Sequence, residues 1–201
     1  MLDPLLRPAS VAVVGASRTP GKVGHAVVAN LIGCGFAGAI YPVNPEAEEI
    51  LELPCFPALA EIREPVDLCV IAVPPGGVEA AVEEALAAHV RAIVVLTAGF
   101  KEIDEEGAAL EARIARLCQS RKVPMMGPNC LGLINAHHKM NASFATQMPK
   151  EGGISIVSQS GALCTAILDW AKARRLGLSK LISMGNKADL SETDFLKAFA
   201  E

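Results

Sequence analysis

The sequence contains no Cys-x-x-Cys pair, and its cysteines, at positions 34, 55, 69, 118, 130 and 164, follow no regular spacing. This argues against structural zinc and against a disulfide framework, and it fits a reduced, cytoplasmic protein. Aromatics are scarce, at 6 Phe, 1 Tyr and 1 Trp. No uncharged apolar run approaches the ~18 residues that span a bilayer, so no membrane partner is expected. Between Met1 and Ser10, Asp3 and two prolines stand where a signal peptide needs a basic start and a longer apolar stretch. Basic excess is also missing: 18 Lys plus Arg against 22 Asp plus Glu gives −4, so no nucleic-acid partner is expected. One local absence points the other way. From Pro4 to Pro45 there is no acidic residue, while Arg7, Arg18 and Lys22 are present, as suits a segment that receives an anion.

What is present is a core. The chain is 51% hydrophobic and only 20% charged, a balance that folds rather than staying disordered. Its 201 residues allow one domain or a domain and a fraction. Short β-branched runs alternate with stretches of helical period, the pattern of βαβ units around a parallel sheet. Strands are expected at 10–14, 39–43, 68–73, 92–96 and 123–126, and helices at 23–32, 78–88 and from near Asp104 to Lys122. These make an α/β, Rossmann-like doubly wound domain over residues 1–130. Residues 131–152, with Asn, His, Lys, Gln and Pro and no sustained period, read as a linker or crossing segment. A second βαβα run over 153–201 reads as the truncated start of another domain: strand 154–157, helix 162–175 closed by Gly177, strand 181–183 and helix 193–200.

Two segments invite anions. The first strand runs through Gly15-Ala16-Ser17-Arg18-Thr19-Pro20-Gly21-Lys22-Val23-Gly24 into a helix. Small residues there let backbone amides approach a phosphate at the helix N-terminus, with hydroxyls beside them. The spacing is neither GxGxxG nor a P-loop. Ser158-Gln159-Ser160-Gly161, between a strand and a helix, offers a second such site, with Ser160 also able to serve as a plain N-cap. The other strand ends are rich in Pro and Gly: Val43-Asn44-Pro45, Val73-Pro74-Pro75, Thr97-Ala98-Gly99-Phe100 and Gly127-Pro128-Asn129-Cys130. They expose backbone and apolar faces to a ligand lying across the sheet edge. The second strand ends without the acidic residue that usually holds an NAD ribose; only Glu46 is near. Adjacent His137 and His138, without a third ligand pattern, read as solvated linker residues, and no metal site is assigned.

Collinear motifs over nearly the whole chain resemble the NDP-forming acyl-CoA synthetases, relatives of the succinyl-CoA synthetase α subunit. They are 13–17 with 20–24, 41–45, 73–75, 127–132, 156–163 and Ser183-Met184-Gly185-Asn186-Lys187-Ala188-Asp189. The resemblance implies carboxylate, CoA and ATP in equilibrium with acyl-CoA, ADP and phosphate, by way of an acyl phosphate and a phosphohistidine. It places CoA phosphates on Gly15, Ala16, Ser17, Arg18 and Lys22, and the rest of CoA along Val43, Asn44, Pro45, Val73, Pro74, Pro75, Thr97, Ala98, Gly99, Phe100, Asn129 and Cys130. It places an enzyme or acyl phosphate on Ser158, Gln159, Ser160 and Gly161, at the start of a flavodoxin-like ligase domain.

Glu46 and Ala47 stand where family members often carry a lysine after Asn-Pro, and none of His25, His89, His137 or His138 matches the family's phosphorylated histidine. ATP, ADP and magnesium are therefore expected only through an ATP-grasp domain or β subunit. By itself the chain is expected to bind CoA and a small carboxylate, without catalysis, and to associate as an oligomer. The alternatives are a CoA-sensing module of a protein lysine acetyltransferase and an NAD(P)-binding oxidoreductase domain.

Overall fold

A computed structural model describes residues 2–200. In chain order the elements are α1 (Asp3–Leu6), β1 (Ser10–Val14), α2 (Val23–Gly33), β2 (Ala39–Val43), the two-residue strands β3 (Glu49–Ile50) and β4 (Leu53–Pro54), and β5 (Leu68–Ile71). Then come α3 (Pro75–Ala87), β6 (Ala92–Val95), α4 (Glu105–Ser120), β7 (Met125–Met126), β8 (Gly132–Asn135) and β9 (Met140–Ser143). The last are β10 (Lys150–Ser158), α5 (Gly161–Arg174), β11 (Gly177–Ser183) and α6 (Glu192–Ala200). No helix among the described residues is long and apolar enough to cross a membrane.

The first sheet runs β2-β1-β5-β6-β7 with every neighbour parallel. Its strands are near-continuous apolar runs because both faces are covered. Along β1 the period of two sends Val11 and Val13 into the core shared with α2, and Ala12 and Val14 into the core shared with α3 and α4. α4 begins where Asp104 accepts a hydrogen bond from Gly107 N at 2.8 Å, and Glu105 and Glu106 in its first turn complement the helix dipole.

The expected linker is a correction. Residues 131–152 contain a whole hairpin, β8 and β9, and the start of β10; the hairpin joins β10 and β11 in a second, mixed sheet of order β10-β11-β8-β9. Its polar residues are spent on pairing and local bonds: buried Asn135 donates to Leu6 O at 2.8 Å, and Ser143 donates to Asn141 Oδ1 at 2.6 Å. His138 bonds Pro8 O at 2.8 Å and His137 bonds Gly152 O at 3.0 Å, so both hold main chain. One face of this sheet contributes Leu133, Met140, Ala142 and Ile182 to the α2 core, and α5 covers the other with Cys164, Leu168 and Ala171. The layers therefore run α3 and α4, first sheet, α2, second sheet, α5. Gly177 does not close α5. Arg175 takes the left-handed cap at φ 56°, and Gly177 opens β11, where a Cβ would meet Glu151 O at 2.2 Å.

α2 is pinned to the β1 turn. A Cβ on Gly24 would stand 2.0 Å from Gly15 O, so only glycine permits this approach. Gly24→Ala is expected to cost about 1–3 kcal/mol of stability through overpacking, seen as a lower urea midpoint. An unchanged midpoint would mean that α2 can slide off the turn freely.

Candidate functional site

The first sheet changes direction between β1 and β5: the chain leaves β1 through α2 to β2 on one side, then returns to β5 and α3 on the other. At such a switch point the carboxyl ends of the strands diverge and leave a crevice. Gly15, at φ 85°, makes the turn out of β1, and a Cβ there would meet Ala72 C and O at 2.8 Å. The α2 N-terminus lacks a side-chain cap. Its first-turn amides have no intrahelical partner, and Val23 and Gly24 line the crevice. The loop in between is set locally, with Ser17 Oγ accepting from Thr19 N at 3.1 Å and Ser17 O bonded to His25 Nδ1 at 2.9 Å.

The crevice opens into one cleft of about 1060 Å³. Of the residues singled out in the sequence it brings together Gly15, Ala16, Ser17, Lys22, Asn44, Val73, Pro74, Thr97, Ala98, Asn129, Cys130, Gln159 and Gly161. The two expected anion segments thus face one space. Arg18 is exposed beside it, donating to Glu46 O at 3.4 Å. Pro45, Pro75 and Gly99 lie next to lining residues without lining the cleft themselves. Val43 and Phe100 have their side chains buried in the core of the α3 and α4 face. Ser158 and Ser160 spend their hydroxyls on the local backbone: Ser158 Oγ accepts from Ser160 N at 3.1 Å, and Ser160 Oγ caps Leu163 N at 3.2 Å. That cap leaves the first-turn amides of Gly161 and Ala162, both at the cleft wall, without intrahelical partners.

Of the remaining walls, Leu131 and Ala162 fall within motifs 127–132 and 156–163 without being site candidates, and Phe144 and Thr165 lie outside every motif. Leu131 and Phe144 come from around the β8–β9 hairpin, Ala162 and Thr165 from the first turns of α5, and Ala72 and Leu96 from strand ends. Phe144 was hidden because its segment shows no period; the paired strands on either side of it are the signal that local patterning could not supply. Among the lining residues Lys22 is the one cation and Glu46 the one carboxylate. The attraction for an anion therefore comes from two helix N-termini, α2 and α5, more than from net charge. Asn44 spends both side-chain ends on the loop, Nδ2 on Ala16 O at 2.7 Å and Oδ1 on Glu46 N at 2.8 Å. Between the polar ends the wall is apolar, with Val73, Pro74, Leu96 and Ala98. The arrangement fits an elongated ligand with phosphates at one end and a neutral arm.

Comparison with known proteins agrees with this geometry. Residues 9–136 match the family described as CoA binding domain, and residues 151–201 match the succinyl-CoA ligase like flavodoxin domain. The acetate–CoA ligase [ADP-forming] I of Archaeoglobus fulgidus is 46% identical over 200 residues, covering 100% of this chain and 29% of that protein. The acetate–CoA ligase [ADP-forming] I subunit alpha of Pyrococcus furiosus is 37% identical over 204 residues, covering 100% of this chain and 44% of the subunit. The solved acetyl-coenzyme A synthetase 1 of Ca. Korarchaeum cryptofilum, in complex with phosphate and ADP, superposes with a TM-score of 0.96 at 37% identity, over 100% of this chain and 43% of that one. The chain spans less than half the length of these relatives.

Cys130 borders the cleft yet is no nucleophile. Its Sγ donates to Val95 O at 3.3 Å, and burial pushes the thiol up to about 12. Burial also raises Cys69, Cys118 and Cys164. Cys34 and Cys55 are raised too but are partly accessible. Iodoacetamide at pH 8 followed by peptide mass mapping should therefore label Cys34 and Cys55 well before the other four cysteines. Early modification of Cys130 would contradict the packing described.

Proposed function

The chain belongs to the CoA-binding domain family, and on that premise we propose that it is the CoA-binding portion of an NDP-forming acyl-CoA synthetase, in which a carboxylate, CoA and ATP give acyl-CoA, ADP and phosphate. The observation that carries this reading is the convergence of two helix N-termini on one cleft whose lining also includes the apolar Val73, Pro74, Leu96 and Ala98. In this assignment the CoA phosphates lie on the amides around Gly15 to Ser17 and at Val23 and Gly24, with Lys22 as the one cation of the lining and Arg18 exposed beside it. The pantetheine arm runs over Val73 and Pro74 and along Thr97 and Ala98 toward Asn129. Pro and Gly at these strand ends keep the wall low and uncharged, which suits an arm with amides and no net charge.

The α5 end receives the second anion, a phosphate or acyl phosphate, through Gly161 N and Ala162 N. Stabilising such an anion by fixed amide dipoles needs no reorganisation at the moment of reaction. Phe144, Leu131 and Thr165 flank this end. The phosphohistidine and the ATP-dependent half of the reaction are assigned to no residue of this chain. They belong to a further domain or a separate β subunit, as suits a chain whose relatives include proteins named as alpha subunits.

Isothermal titration of the chain with CoA tests the reading. Saturable binding is expected, and Lys22→Ala should weaken it about tenfold, the range for loss of a charged hydrogen bond. The effect should shrink as salt is raised. Absence of heat at millimolar CoA, or a preference for NADH in a parallel thermal-shift series, would overturn the proposal.

A further inference from the structure

Asn186 lies outside the cleft, on the loop between β11 and α6, yet its carboxamide is wholly engaged with the first sheet's side of the molecule. Nδ2 donates to Glu102 Oε2 at 2.6 Å and to Glu111 Oε2 at 2.8 Å, and Oδ1 accepts from Asn129 Nδ2 at 3.2 Å. Two carboxylates on one atom settle which end of the amide is nitrogen. The main chain is held as well: Asn186 N donates to Pro128 O at 2.8 Å, and Asn186 O accepts from Lys101 Nζ at 2.5 Å. Lys101 also pairs with Glu111, whose side chain is 6% exposed, at 2.9 Å.

Glu102 passes this grip to the cleft. Its Oε2 takes the Asn186 bond, while its Oε1 accepts from Gly99 N at 2.7 Å and Phe100 N at 3.2 Å. Those amides belong to the turn that follows Thr97 and Ala98, the wall of the cleft, and Gly99 holds φ 111°. Asn129, the other partner of Asn186, itself lines the cleft. One side chain from the second unit therefore fixes two separate segments of wall that the first unit contributes. A donor is required at this position, since Glu102 and Glu111 meet there and Lys101 neutralises only one of them.

We propose that Asn186 is a positioning residue of the CoA site, setting the Thr97–Phe100 turn and Asn129 against the arm of the ligand without touching it. This deepens the functional reading above and rests on it. The consequence is selective: losing Asn186 loosens the wall along the arm and leaves the phosphate end at Ser17 and Lys22 intact.

The test compares CoA with adenosine 3′,5′-bisphosphate, which lacks the arm, by calorimetry on the unaltered chain and on Asn186→Ala, Asn186→Asp and Glu102→Ala. Asn186→Ala should weaken CoA about tenfold and the bisphosphate less than about twofold, as expected for lost bonds to charged groups on one segment. Asn186→Asp should do at least as much harm, because it sets a third carboxylate beside Glu102 and Glu111. Glu102→Ala carries the same selective loss from the other partner, should the Asn186 variants fail to fold. Equal losses for both ligands, or unchanged CoA binding, would overturn the proposal while sparing the functional reading. No CoA binding by the unaltered chain would overturn that reading and this proposal with it.

Discussion

Three backbone hydrogen bonds sew the second unit to the first: Asn186 N to Pro128 O at 2.8 Å, Ala188 N to Gly127 O at 3.1 Å and Leu190 N to Met125 O at 3.3 Å. The seam is as close as polypeptide allows, since a Cβ on Gly185 would stand 2.2 Å from Pro128 O. Asp189 adds its carboxylate to Met125 N at 2.9 Å and to Gln119 Nε2 at 3.0 Å. Because the seam follows directly from the last strand of the first sheet, it sets the α5 N-terminus opposite the strand ends. Without it there would be two half-sites; with it there is one cleft.

The electrostatics of that cleft are economical. Its lining carries one cation and one carboxylate, and the protein as a whole is at −4, so a general positive field is not what favours an anion. Uncapped amides at α2, and the two amides of α5 that Ser160 leaves free, provide two fixed positive ends on the one cleft. Packing holds both in place. Gly24 lets α2 reach the β1 turn, and α2 itself lies between the two sheets, with Asn30 Nδ2 donating to Ser143 O at 2.7 Å and Ala145 O at 2.8 Å.

Local patterning made the first sheet legible. The runs at 10–14 and 39–43 coincide with β1 and β2 to the residue: β1 is buried throughout and reads as an unbroken apolar stretch, and edge strand β2 is an apolar run that ends at the turn Asn44-Pro45. The other strands of that sheet end one or two residues earlier than expected, or begin later. The β8–β9 hairpin was illegible for the opposite reason: its buried polar residues, Asn135, Asn141 and Ser143, are stabilised by bonds to distant or local backbone that no window of sequence reveals. In the same way the glycine-rich turn and the strand-end loops announced the cleft, whereas Phe144, Thr165 and the Asn186 network depend on how two units meet. Val43 and Phe100, which flank the strand-end loops of the cleft, place their side chains in the core.

A crystal structure of the chain soaked with CoA tests the central claim most directly. The account predicts the phosphates on the amides between Gly15 and Gly24 beside Lys22, with the arm running past Thr97 and Asn129 and the thiol pointing to the N-terminus of α5. CoA bound elsewhere, or lying in the cleft with its phosphates at Gly161 and its thiol at Ser17, would contradict it.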